Sequence, residues 1–263
     1  MFTRRLILKI IIFVLLGAAL VITLITFSVN GPPLLSFDQK NIPKLITANV
    51  MDIDRIYMIS KFRSGAGHDY SDSEESCRSM KHYVNTSHVE TSAHTPLRSL
   101  PTPTEPNIKI YAPFDGTIES VSEEHTPIGK QVRVSSREYP QYRVRLFHID
   151  LLPQFGLGSK IASGEWIGTV GPKDGTDVAV ETWALPDSHI NLSMFQAMTD
   201  DAFSPYAKLG YHREDFVISK EYRDAHPLQC ESQNEQFVRD MRTYDWQQDF
   251  VMLRPDPYAR EVK

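Results

Sequence analysis

His68 and Asp72 stand four residues apart in Ser64-Gly-Ala-Gly-His-Asp-Tyr-Ser-Asp72 and pair an imidazole with a carboxylate, two side chains that suit a zinc ion. A catalytic zinc centre needs a third protein ligand and a position left open for water. His148 closes the run Tyr142-Arg-Val-Arg-Leu-Phe-His148 and could assist proton transfer. Further on, Asp177-Val-Ala-Val-Glu181 alternates so that Asp177, Ala179 and Glu181 share one face of a strand. Each fragment also has a bland reading. An Asp such as Asp72 in a Gly/Ser-rich loop is commonly a turn former bonded to its own backbone. His148 at a strand end is more often a hydrogen-bonded structural histidine. His82, His88 and His94 cluster nearby in sequence and give only a weak metal signal.

The elements that must position these residues come mostly from one stretch. Between residues 108 and 183, short apolar alternations are separated by Gly, Pro and Asp, the pattern of an antiparallel β domain. Strands are expected at 109–112, 116–121, 131–135, 142–148, 166–170 and 177–183. In the fourth, period-two geometry sends Tyr142, Val144, Leu146 and His148 to one face and Arg143, Arg145 and Phe147 to the other. Gly158, Gly164, Gly168 and Gly171 punctuate the approach to the last strand. Residues 73–107 read as a mobile insertion, with a short helix over 76–83 and a proline-studded tract at 95–106. Beyond Pro186 the text turns helical, with Thr199 as N-cap and Gly210 as stop for one helix. A second helix begins near Ser219 and ends at Pro227, and a third covers 234–244.

The N-terminus carries a different physical signal. Residues 10–29 contain no charge, and twenty helical residues cover about 30 Å, the thickness of a bilayer core. Arg4, Arg5 and Lys9 precede this run, so the positive-inside bias places the N-terminus in the cytoplasm and exports the remainder. The run is longer than the apolar core of a signal peptide, which favours an uncleaved single-pass anchor. Cys77 and Cys230 fall on the exported side, where oxidation is permitted, and a disulfide between them is expected. The chain carries a formal charge of −5, and setting aside the three basic residues before the anchor leaves −8. A balance that acidic disfavours nucleic acid as partner.

Ile110-Tyr-Ala-Pro-Phe-Asp-Gly-Thr-Ile118, Gly129-Lys-Gln-Val132, Phe147-His-Ile149 and the glycine series from Gly158 to Gly171 together resemble the lysostaphin-type zinc endopeptidases, which cleave peptidoglycan cross-links. The resemblance covers about residues 62 to 183 and implies a β groove on a duplicated hybrid motif with zinc on its floor. It implies that His68 and Asp72 are zinc ligands and that His148 assists catalysis. The family's final strand carries His-x-His, a catalytic residue and then the last zinc ligand, and here Asp177 and Ala179 hold those places. A methyl group cannot coordinate metal, so the zinc site is incomplete unless Asp177, Glu181 or His82 substitutes. Tyr70 also replaces the glycine usual between the first two ligands, and 73–107 replaces a short connection.

The expected fold is mainly β: an antiparallel sheet forming a groove or barrel-sandwich hybrid, with flanking C-terminal helices and one transmembrane helix. Its parts are a cytoplasmic tail (1–9), anchor (10–29), stalk (30–44), peptidase-like β domain (45–185) and helical extension (186–263) packed on that domain. The expected function is a catalytically degenerate, membrane-anchored envelope module that binds a cell-wall ligand or a protein. One alternative is an active metal-dependent hydrolase with a rearranged site using His68, Asp72, His148 and Asp177. The other is a biotinyl- or lipoyl-like hybrid module, disfavoured because no Met-Lys pair occurs between residues 108 and 183.

Overall fold

The computed structural model describes residues 8–18, 34, 37–38, 41–86, 108–124, 128–171, 175–184, 188–230, 237 and 246–254. Among them the strands are β1 (Met58–Ser60), β2 (His82–Asn85), β3 (Lys109–Tyr111), β4 (Gly116–Glu123), β5 (Lys130–Ser136) and β6 (Tyr142–Leu151). The series continues with β7 (Lys160–Ile161), β8 (Trp166–Val170), β9 (Gly175–Ala184), β10 (Ser188–Leu192) and β11 (Phe250–Met252). The main path of the sheet runs β11-β1-β2-β9-β6-β5-β4-β7, with β8 and β10 attached to β6 and β9, and every strand pair is antiparallel. All six strands expected from alternation are present, each within a few residues of its anticipated bounds.

Apolar alternation places the core. Val132, Val134, Val144, Leu146, Val178 and Val180 are fully buried and belong to one hydrophobic cluster with Ile110, Ile118 and Ile167. Period two then sends Arg145, Phe147, Asp177 and Glu181 to the opposite face of β6 and β9. That polar face is closed over by residues 61–81. A fully polar face would be left in water by an ordinary antiparallel sheet, yet nine of the ten residues of β9 are buried.

The stretch 73–86, read from sequence as the start of a mobile insertion with a helix, is tied down instead. Residues 82–85 form β2, a strand in the middle of the sheet between β1 and β9. The helical reading fails because His82 and Val84 point into the core while Tyr83 points away, a two-residue period too short to register in a run of four. Residues 87–107 lie outside the described residues.

The C-terminal part mixes helix and strand. Thr199 caps the helix Asp200–Lys208, its hydroxyl accepting from the Ala202 amide, and Asp200 and Asp201 in the first turn favour the helix dipole. Ser219 caps Lys220–Ala225 in the same way. Phe195, Phe203, Tyr206 and Phe216 join the main core, with Phe195 stacked on Phe216 at 3.7 Å between ring centroids. β10 and β11 depart from the helical expectation. β10 folds back on β9, and β11 pairs with β1 from the far end of the chain. The third expected helix, 234–244, lies outside the described residues apart from Phe237.

Cys77 and Cys230 form the anticipated disulfide, closing a sequence separation of 153 residues. Residues 8–18 are helical, and no helix among the described residues is long and apolar enough to cross a membrane. Residues 19–29 of the apolar run lie outside them.

Candidate functional site

The polar face of β6 and β9 is built around an ammonium group that the sequence did not single out. Lys81 lies immediately before β2, and its Nζ donates to Asp177 Oδ2 at 2.7 Å. Three rings surround the same nitrogen: Phe147 at 4.6 Å, Tyr83 at 4.7 Å and Tyr70 at 5.2 Å to their centroids. Aromatic faces attract a desolvated cation, and a carboxylate completes its neutralisation. Burial alone would lower the Lys81 pKa. Asp177, and after it the Tyr83 hydroxyl, outweigh that penalty and raise it above the ordinary lysine value. The ion pair with Asp177 and the three surrounding rings thus favour the charged ammonium form of Lys81.

His68 meets this cation from the loop side. Gly67, with φ of +69°, brings the loop so close to Tyr83 that a Cβ there would lie 1.9 Å from the phenolic oxygen. The His68 amide donates to that same oxygen at 3.3 Å. The His68 Nδ1 sits 3.0 Å from the Asp69 carbonyl, an acceptor only, so Nδ1 carries the proton. Nε2 then presents a lone pair to Lys81 Nζ at 3.4 Å. Burial, then the Lys81 charge, lowers the His68 pKa and keeps this neutral tautomer. A carbonyl fixing one imidazole nitrogen while the other faces a cation is the usual support for a metal-binding histidine. Here an ammonium receives the lone pair.

His148 and Asp177 are brought together from neighbouring strands. β6 pairs with β9 as far as Phe147 and with β8 from Ile149 onward, so His148 occupies the changeover. Its φ is +57°, and the Gly171 amide donates to its carbonyl at 2.8 Å, an approach that a Cβ at Gly171 would obstruct. This break in the pleat corrects the expectation that His148 shares a face with Leu146: the ring instead joins the polar side. Its Nε2 lies 3.3 Å from Asp177 Oδ2, and its Nδ1 lies 2.6 Å from Glu124 Oε2. Burial opposes charge on Asp177, but Lys81 and His148 outweigh it and hold the carboxyl below its usual range.

The remaining sequence candidates go elsewhere. Asp72 Oδ1 accepts from the amides of Glu74 and Glu75, both at 2.9 Å, and Oδ2 accepts from the Asn191 amide at 3.0 Å. Asp72 is thus a turn former that also clasps β10, and its carboxylate is engaged away from His68. Glu181 pairs with Arg145 at 3.1 Å and accepts from the Tyr70 hydroxyl at 2.6 Å. Tyr70, which stands where the resemblance expects glycine, packs edge-on against Phe147. Its own pKa is raised well above the usual value by burial and then by Glu181. Ala179 is fully buried between Asp177 and Glu181, opposite Arg145, at the point where β9 passes from β2 to β10.

His82, the third possible substitute ligand, lies on the other side of β2. It is fully buried, with Nδ1 2.7 Å from the Ser60 carbonyl and Nε2 3.0 Å from the Ser193 hydroxyl. Burial lowers its pKa to about 4. The unfolded chain, titrating near 6.5, takes up the proton first as pH falls. Stability from this residue is therefore complete above about pH 6.5 and is lost progressively toward about pH 4, on the order of 3 kcal/mol in all. Urea unfolding between about pH 7 and about pH 5 should show this slope, and His82→Gln should flatten it.

The residues present do not fit zinc. The first expected ligand faces an ammonium, the second is bound to three amides, and the last position is a methyl group. Among the described residues no group of three or more His, Cys, Asp and Glu side chains is arranged to hold a metal ion. Sequence reasoning missed Lys81, Tyr83 and Glu124. Lys81 and Tyr83 lie just before and within a strand of four residues, too short for alternation to reveal it. Glu124 is linked to His148 only through the β4–β5 hairpin, and no spacing rule reveals it.

No family model and no curated protein matches the chain. Among solved structures, CbpA from L. salivarius REN is similar at 14% identity, over 27% of this chain and 46% of its own, with a TM-score of 0.22. The chain thus spans less than half the length of that protein. The SpoIIQ–SpoIIIAH pore-forming complex is similar at 11% identity, over 64% of this chain and 98% of the matched chain, with a TM-score of 0.37. Likeness this distant leaves the reading of the site to its own residues.

Proposed function

We propose that this chain is a membrane-anchored, exported module that keeps the layout of a lysostaphin-type peptidase without its metal chemistry. The end of its polar face that stays open around Arg145 serves to bind an envelope ligand or a protein. The observation that carries this reading is Lys81: a caged ammonium, paired with Asp177, lies beside the histidine lone pair that a metal would need. A second cation at that point would be repelled by the first and would find Ala179 in place of a ligand. The charge-free run at 10–29 and the basic residues before it support the anchor and its orientation.

Zinc titration of the full chain in detergent, followed by dialysis and metal analysis, tests the reading. Zinc should remain substoichiometric and should not raise the unfolding temperature. One tightly held zinc per chain that disappears in His68→Ala would sink the proposal.

A further inference from the structure

We propose that Lys81 and Asp177 condense to an amide bond between their side chains, with His68 as the base and His148 as the acid of the reaction. The ion pair described above is the form before the bond is made. This chemistry goes beyond the binding role proposed above and does not depend on it.

Strand register brings the two side chains together. Tyr83 on β2 stands directly opposite Asp177 on β9, and Lys81, two residues before Tyr83, projects to the same face. It reaches Asp177 along the diagonal, a distance that a long side chain spans. Lys81 Nζ lies 2.7 Å from Asp177 Oδ2, and Cγ, the carbon to be attacked, is one bond further. Both side chains are buried, at 3% and 7% exposure, and Tyr70, Tyr83 and Phe147 surround the nitrogen. Well-oriented groups within one molecule reach effective concentrations of about 10⁵ M and above. A site that excludes water also lacks the reactant that would hydrolyse the product.

An ammonium is not a nucleophile, and a carboxylate is a poor electrophile. The hydrogen bond between them changes both at once: transfer of one proton from Nζ to Oδ2 turns the pair into an amine and a carboxylic acid. The neutral pair is the minor form, but it needs no solvation inside a cage of rings. A reaction that happens once per molecule and is not reversed can proceed through a minor form.

The second proton of Nζ has its own acceptor. With its Nδ1–H bonded to the Asp69 carbonyl, His68 presents the Nε2 lone pair 3.4 Å from Nζ. As the Nζ lone pair forms the bond to Cγ, His68 takes that proton. Each ring nitrogen of His148 faces a carboxylate oxygen, Nδ1 that of Glu124 at 2.6 Å and Nε2 that of Asp177 at 3.3 Å. Nε2 can therefore hand a proton to the departing oxygen. The electron pair of the C–O bond leaves with that oxygen, which carries one proton from Nζ and one from His148 and departs as water. Nothing is oxidised or reduced. His68 has gained a proton and His148 has lost one, and both are restored by exchange with solvent. In the linked form the amide N–H would face the His68 lone pair in place of the ammonium, so that nitrogen stays closed to zinc. The link would span 96 residues and join β2 to β9, a closure that thiols do not open, unlike the Cys77–Cys230 disulfide.

Mass spectrometry of the full chain in detergent, with the disulfide reduced, tests the proposal. The purified chain should be lighter than its sequence by one water. Trypsin should release the residues around Lys81 and Asp177 as one branched peptide, uncut after Lys81. Lys81→Arg and Asp177→Ala should each keep the full sequence mass. His68→Gln and His148→Gln should each slow the loss of water by about a hundred-fold in freshly made chain. A wild-type chain that keeps its full mass on prolonged incubation and is cut after Lys81 overturns the proposal, and so does loss of water in Lys81→Arg. Unchanged rates in the histidine variants overturn the roles given to His68 and His148. Where a variant fails to fold, the wild-type spectrum still decides whether the bond forms, because it depends on no substitution. Zinc content of the same sample reports separately on the loss of metal chemistry, so a chain at full mass removes only the amide bond.

Discussion

Lys81→Met should destabilise the protein by about 3–5 kcal/mol, seen as a lower denaturant midpoint with an unchanged slope. The loss comes less from the ion pair itself than from what remains. Asp177 would stay buried with its carboxylate facing only His148, and the three rings that cage the ammonium would enclose an apolar chain beside an unbalanced charge. Lys81→Met combined with Asp177→Asn removes both charges together. That double variant should recover most of the stability, giving a coupling of several tenfold factors in the folding equilibrium. A single-variant cost below about 1 kcal/mol would show that the ammonium is not held in the cage. Lys81→Met should still bind no zinc tightly, because Ala179 continues to withhold a ligand.

Glu75→Gln is the second substitution with a large expected cost, again about 3–5 kcal/mol. Glu75 is buried and accepts from Nε and Nη2 along one edge of the Arg63 guanidinium, at 2.7 and 2.6 Å, and from Arg78 at 2.6 Å. Arg78 passes the connection to Asp224 at 2.7 Å, and Lys220 meets the same carboxylate at 2.6 Å. Neutralising Glu75 leaves two buried guanidinium groups facing each other. The cluster holds down the turn between Arg63 and Arg78 that carries His68 and Tyr70. Hydrogen exchange should therefore accelerate at the Tyr70, Ser79 and Met80 amides, whose bonds lie in this turn. Exchange unchanged at those three amides would place the stabilising role elsewhere.

The β core was legible because its signals are local. Val144 and Leu146, or Val178 and Val180, announce a buried face within five residues, and the strands appear where alternation puts them. The same rule placed Asp177, Ala179 and Glu181 on one face. It failed at His148, where a left-handed residue reverses the facing of one side chain, a feature that alternation cannot encode. His68 was recognised as a candidate, but its partner was sought four residues away at Asp72. Its actual neighbour, Lys81, lies beyond a turn whose shape depends on the Glu75 ion cluster and the Cys77–Cys230 disulfide. Long-range pairings of this kind leave little trace in residue spacing. β2 and β11 were missed for the same reason: three or four residues carry too little pattern, and their partners are distant in the chain.

The pairing of β11 with β1 bears on how the molecule is made. Met58 to Ser60 meets Phe250 to Met252, so the sheet joins segments from near the two ends of the folded region. The Lys61 amide also donates to the Asp249 carbonyl, and the Gly65 amide donates to the Asp249 carboxylate, which the Arg223 guanidinium reaches as well. During synthesis, the early strand must wait for residues 250–252 to emerge before its edge is covered. Pairing across such a separation makes folding slow and leaves an unpaired strand edge exposed in the interval. A chain made N-terminus first would thus complete this sheet only after β11 had emerged from the ribosome.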